Sequence, residues 1–311
     1  MNILGKRYIF FTISLVFILT GLAIIAIDGL PLAVDFKGGT LLELQYPSTN
    51  LPKTEEVVAV YEKFNFEEVT VQTAVDTNDQ RTILIIRSPF MDEQVKSSIV
   101  SELETISNEK ISINQFESVG PVIAEQVTKR AAVAVGIAAL AVVIYITYAF
   151  RGIPNAFRYG VCGILAMLHD VLVVISLMAI GGKFFGWQVD SLFLTALLTV
   201  IGFSVQDKIV VFDRIRENSA IYRKLEFEKL VNHSIVQTLQ RSINTQLMTV
   251  EFMLLALALF GGVTLRDFSV ILLVGLASGT YSSIFIAAPL LVVWETQEWK
   301  SWFRKKETVT G

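Results

Sequence analysis

Cysteine is nearly absent from this chain. Of 311 residues only Cys162 is a cysteine, so no disulfide can close within the chain and no cysteine cluster can hold a metal. Histidine is almost as scarce, with His169 and His233 alone, and neither falls between residues 28 and 130. Charge is thin as well: 18% of residues are charged against 53% hydrophobic, with a net charge of -3. So little charge and a positive mean hydropathy exclude an ordinary soluble domain and point to a membrane protein. Nucleic-acid binding is disfavoured too, because the basic residues follow a membrane pattern.

What is present in quantity is long apolar sequence. A spanning helix needs about 20 mostly apolar residues to cross roughly 30 Å of hydrocarbon. Six runs meet that test approximately: Tyr8–Ile27, Ala131–Phe150, Tyr159–Ile180, Val189–Phe212, Asn244–Phe260 and Phe268–Trp294. The first is too long for the apolar core of a cleavable leader and is expected to stay as a helix. Cys162 lies within the third run, as a small packing residue.

The expected fold class is therefore a polytopic α-helical membrane protein with six transmembrane helices and a separate α+β domain. Its divisions are residues 1–27, a short cytoplasmic N-terminus and helix 1; 28–130, an extracytoplasmic domain; 131–294, helices 2 to 6; and 295–311, a cytoplasmic tail. Orientation rests on lysine and arginine in the short connections. Lys6, Arg7, Arg151, Arg158, the cluster from Arg214 to Arg241 and the tail from Lys300 to Lys306 share one side, against Lys183 and Arg266 on the other. Both termini are placed in the cytoplasm. Residues 213–243 read as the longest cytoplasmic loop, where Asp213, Arg214, Arg216 and Glu217 form ion pairs at a helix end.

Within 28–130 the pattern alternates between periods. "LLELQY" from Leu41 and "VTVQTAV" at Val69–Val75 read as strands, and the turn "DTND" leads into a third, "RTILIIR". "ISINQFESV" at Ile111–Val119 is the fourth strand. Helical spacing covers Thr54–Phe64, with Thr54 as N-cap, and Asp92–Ser107. The order β-α-β-β-α-β is that of a ferredoxin-like unit. Lacking histidine and any acid clustered with a nucleophile, the domain suits binding or leverage better than catalysis.

Charged and polar residues inside apolar runs cost a few kcal/mol each, about 2.5–3.5 for a central carboxylate, and are functional candidates by default. Three places qualify: His169 and Asp170; Gln206, Asp207 and Lys208; and Arg241 with Asn244 and Gln246, followed by Glu251. Ser204 and Asp207, three apart, share a face expected to look into the bundle. Arg241 can reach Asp207 from the next helix, which makes a proton relay physically possible. Lys208 reads as a side chain that snorkels to the cytoplasmic interface. His169 and Asp170 read equally well as a hydrogen-bonded packing pair. Gly275, Gly279 and Ser283, spaced by four, suit close helix packing.

Four motifs then agree in order with one family. "VDFKGGT" at Val34–Thr40, "LHD" at Leu168–Asp170, "GFSVQDKIVVFDRIREN" at Gly202–Asn218 and "RSINT" at Arg241–Thr245 resemble the SecF family of protein-export membrane subunits, part of the SecD/SecF group within the resistance-nodulation-division superfamily. The resemblance implies a non-enzymatic auxiliary subunit that works with SecD, the SecYEG channel and the SecA motor on unfolded preproteins, in contact with membrane lipids. It implies use of the proton-motive force and no cofactor. It assigns proton coupling to Asp207 and Arg241, with Asp170 secondary and Gln206, Ser204 and His169 as polar support. Asp35, Lys37, Gly38 and Gly39 fall in the family's turn motif. The family usually carries Asn where Gln206 stands, which alters by one methylene the amide beside Asp207. A bacterial inner membrane is implied, with a thylakoid membrane as the alternative. Sequence physics alone leaves two other readings: half of a small-molecule proton-coupled transporter, and an uncoupled scaffold.

Overall fold

The computed structural model describes residues 3–47, 51–75, 82–151, 155–246, 251–260, 263–298 and 300. The turn "DTND", the stretch 247–250 of the expected fifth span and the tail 301–311 lie outside them.

The chain begins with α1 (Arg7–Asp28), whose apolar surface is largely exposed, as expected of a helix facing lipid. The short α2 (Val34–Lys37) follows, and then β1 (Gly39–Gln45), α3 (Thr54–Lys63), β2 (Thr70–Val75), β3 (Thr82–Ser88), α4 (Glu93–Ser107) and β4 (Ser112–Val119). The strands form one antiparallel sheet in the order β2-β3-β1-β4. Period two puts Leu42, Leu44, Leu84 and Ile86 on one face, against Val57, Val60 and Tyr61 of α3 and Ile99 and Leu103 of α4. Asp92 caps α4, accepting from the Val95 amide at 2.9 Å. Thr54 is not a cap but the first residue of α3. The reciprocal bond there comes from Glu56, whose carboxylate accepts from the Lys53 amide at 3.0 Å.

Gly38 and Gly39 turn the chain into the sheet with φ of +79° and +120°. A Cβ on Gly39 would sit 2.8 Å from the Ser88 carbonyl oxygen. Gly39→Ala is accordingly expected to cost about 1–3 kcal/mol through backbone strain, seen as a lower denaturant midpoint for the sheet domain. The opposite sheet face carries Glu43 and Arg87. Burial raises the Glu43 carboxyl, with Arg87 opposing and Glu117 adding to the rise. A carboxyl raised on folding supports the fold while protonated, and that support is lost as pH climbs from the ordinary carboxylate range through the raised value. Glu43→Gln should therefore raise the urea midpoint for proteolysis of this domain at pH 7 and leave it little changed at pH 4. Equal gains at both values would contradict the assignment.

Beyond the sheet run α5 (Pro121–Ala149), α6 (Ala156–Phe185), α7 (Ser191–Ile221), α8 (Phe227–Gln246), α9 (Phe252–Phe260), α10 (Val263–Ser282) and α11 (Ala288–Glu295), the last two joined by a π-helical turn at Ser283–Ala287. Among the described residues five helical stretches are long and apolar enough to cross a membrane: Leu4–Asp28, Pro121–Ala149, Ala156–Phe185, Ser191–Ile221 and Leu265–Glu295. The expected run 244–260 falls across the end of α8 and α9 and is not among them. α5 starts ten residues before its apolar run, with Pro121 in its first turn, where the missing N–H costs nothing. The expected loop 213–243 is mostly helix, shared by α7 and α8. Its charges pair along helix faces, Arg214 with Glu217 and Arg216 with Asp213, both at 2.8 Å.

Candidate functional site: a buried carboxylate in the helix bundle

α6, α7 and α10 meet around a single carboxylate. Small residues let them approach: a Cβ on Gly279 would lie 3.3 Å from Ser204 Cα, and one on Gly275 would overlap Val200 Cγ2 at 2.3 Å. The stripe expected from spacing thus packs α10 against α7. On that stripe's flank Ser278 and Ser282 face Asp170.

Asp170 is fully buried and receives five side chains. Its Oδ2 accepts from Ser204 Oγ at 2.6 Å, Lys208 Nζ at 2.7 Å and Ser282 Oγ at 2.7 Å. Oδ1 accepts from Ser278 Oγ at 2.9 Å and, in the tautomer this bond requires, from His169 Nδ1 at 3.0 Å. The His169 ring stacks on Tyr281, and its Nε2 is buried with no hydrogen-bond partner among the described residues.

Lys208 does not snorkel. Its side chain is 1% exposed and turns back one helical turn, donating to the Ser204 carbonyl at 3.1 Å and Ser204 Oγ at 2.5 Å as well as to Asp170. The reason is local: Ser204 and Lys208 are four apart on α7, so they share a face, and that face meets the one carboxylate of α6 at this depth. Burying each ion costs several kcal/mol, which the pair offsets only because its remaining hydrogen-bonding capacity is satisfied.

Asp207 points elsewhere. It is 7% exposed, and its Oδ2 accepts from Thr280 Oγ1 of α10 at 3.0 Å. Glu251, partly buried, is close enough to act on Asp207 electrostatically, as is Lys208. Ser204 and Asp207 are both buried, yet they serve different contacts. Gln206 is exposed on the helix surface. Arg241 is exposed on α8, and an Asp207–Arg241 bridge is not among the ion pairs of the described residues. Asn244 is likewise exposed, and the side chain of Gln246 lies outside the described residues.

The turn motif lies at the N-terminal end of α7. Asp35 Oδ2 accepts from the Ser191 amide at 2.9 Å and its hydroxyl at 2.5 Å. Lys37 ends α2, and Gly38 lies close to Pro121 at the start of α5.

Comparison with known proteins fixes the family. The model described as "Protein export membrane protein SecD/SecF, C-terminal" matches residues 98–297. The chain belongs to the SecD/SecF family. A second model, "SecD/SecF GG Motif", matches residues 23–46 and so covers the Asp35–Gly39 turn of this SecD/SecF member. The protein translocase subunit SecF of Anaerolinea thermophila is 64% identical over 305 residues, spanning 98% of this chain and 97% of its own. That of Thermobaculum terrenum is 43% identical, spanning 99% and 98%. The crystal structure of SecDF from Thermus thermophilus superposes with a TM-score of 0.80 at 30% identity, over 95% of this chain and 39% of that one.

Lys208 was legible as a charge inside an apolar run but not as the partner of Asp170, and Ser278 and Ser282 of α10 were not legible as site residues. A lysine four residues after a serine inside an apolar run is the available signal. It becomes informative only once Asp170 is known to sit opposite.

Proposed function

We propose that this chain is an auxiliary subunit of the Sec translocase which, with a SecD partner, uses the proton-motive force to promote late preprotein translocation and release on the outer side of the membrane. The observation that carries the reading is the charged centre held inside apolar helices: the Asp170–Lys208 pair with its serine cage, and Asp207 one residue along. A family of export subunits has no structural need for so costly a group, since an apolar core packs as well or better. Asp207 is the proposed proton carrier. Arg241 is retained from the motif "RSINT" that it opens, and Asp170 is the secondary group. Loss of the Asp207 charge removes the neighbouring attraction on Lys208 and leaves the ammonium to Asp170, which shifts the balance between α7 and α6.

The energy is adequate. One charge crossing 100 mV yields about 2.3 kcal/mol, comparable to the few kcal/mol that separate two conformations.

The SecD partnership is supported by the SecDF of Thermus thermophilus, a single chain in which the match to this one covers 35% of the length. The remaining assignments follow from the family: SecYEG and SecA as further partners, lipid contact around the bundle, a bacterial inner membrane, both termini cytoplasmic, six spans, and a ferredoxin-like domain outside. Relatives are named as translocase subunits, a role without catalysis.

Inverted vesicles with SecYEG, SecA and SecD, prepared with and without this chain, test the proposal. Completion of a stalled preprotein, read by protease protection, should gain a gradient-dependent component only where the chain is present. An equal gradient effect in both preparations would refute it.

A further inference from the structure

The turn at Asp35–Gly39 meets the start of α7, and the charged centre lies about half-way along the same helix. α7 is continuous from Ser191 to Ile221, so Asp207 lies about 24 Å along it from Ser191 at 1.5 Å per residue. At the Ser191 end the helix is gripped from outside the bundle. Asp190 caps it from within, accepting from the Phe193 amide at 2.7 Å. Asp35 adds a second grip, accepting from both the amide and the hydroxyl of Ser191 with one oxygen.

Independent contacts tie the same junction. The Val189 amide donates to the Pro31 carbonyl at 2.7 Å, and the Ala33 amide donates to the Val189 carbonyl at 2.9 Å, a strand-like bridge between the two segments. Arg87 of β3 donates to the Gln188 side chain at 3.1 Å. Asp35 itself belongs to α2, which runs through Gly38 directly into β1, the strand paired on both sides in the sheet. A displacement of α7 along its axis therefore meets the sheet domain through a few short bonds and the single residue, Gly38, between α2 and β1.

We infer that Asp35 is a positioning residue for energy coupling: by holding Ser191 it transmits movement of α7 to the sheet domain. The inference rests on the proton-driven reading proposed above. Without the grip, the charged centre and the domain would each remain intact but would move independently. Asn at position 35 keeps an acceptor oxygen for Ser191, whereas Ala removes it.

The experiment uses the full complex in inverted vesicles and compares wild type, Asp35→Ala, Asp35→Asn and Asp207→Asn at matched abundance. A second cut, Ala33→Pro, removes the amide that bonds Val189 and keeps the backbone angle, since Ala33 already has φ of −74°. Asp35→Ala is expected to lower the gradient-dependent completion by roughly five-fold or more, the scale of an ordinary coupling free energy. Gradient-independent translocation should hold, Asp35→Asn should restore most of the loss, and Ala33→Pro should lower the same component. Should Asp35→Ala and Ala33→Pro keep full gradient dependence while Asp207→Asn loses it, the inference is overturned and the proton reading stands. If both components fall together, the contact is structural and the inference is also overturned. If vesicles with the wild-type chain show no gradient-dependent component beyond those without it, the proton reading fails first and takes the inference with it; retention by Asp207→Asn alone moves the proton site and leaves the Asp35 variants to decide the inference.

Discussion

Lys208→Met is expected to cost the bundle about 3–5 kcal/mol, because it strands the Asp170 carboxylate among apolar helices without its counter-charge. Met matches the stem of lysine in length, so packing is nearly retained and the loss reports charge. The serines of α10 and α7 still donate to Asp170, but hydroxyls do not neutralise a buried anion. The double change Lys208→Met with Asp170→Asn removes both charges while keeping an acceptor for the serines. It should recover most of the stability, and the coupling between the two sites should be read from the full double-mutant cycle. Thermal unfolding of the purified protein in detergent measures this. Equal destabilisation in single and double variants would show that the ions contribute nothing to each other.

Asp207→Asn is expected to behave in the opposite way, sparing the fold and abolishing coupling. The amide keeps the shape and an acceptor for Thr280, so abundance and assembly should be unchanged. What it loses is the ability to take up and release a proton. At 100 mV one charge supplies about 2.3 kcal/mol, a bias of about fifty-fold at about 1.36 kcal/mol per factor of ten. The gradient-dependent component of completion should fall to the level of vesicles lacking the chain. Retention of that component would move the proton site to Asp170 or to the partner.

The two acids were visible in the sequence because apolar surroundings make an ionisable group conspicuous without any structure. The sheet domain was legible for a similar reason: the alternation in "LLELQY" and "RTILIIR" and the helical spacing of Asp92–Ser107 are local signals that the structure keeps. The partners of the acids were not legible. Lys208 stands near an end of its apolar run, where snorkelling is the usual outcome, and only the register of α6 against α7 turns it inward. Arg241 illustrates the converse, since adjacency of motifs in the chain suggested a contact with Asp207 that the described ion pairs do not include. Helix ends were misjudged where polar turns continue an apolar helix, as at Pro121–Arg130, or where a helix such as α8 carries too many uncharged polar residues to read as more than a loop. Spacing identifies faces within one helix; it carries no information on the relative height of two.

Proton movement is the most direct measure of the central assignment. Inverted vesicles with the complete translocase and an internal pH-sensitive dye are acidified inside, and a preprotein is then allowed to complete its passage. Proton carriage by Asp207 requires faster, preprotein-dependent loss of internal acidity with the wild-type chain, and the slow background rate with Asp207→Asn at equal abundance. The same rapid loss in both would contradict it.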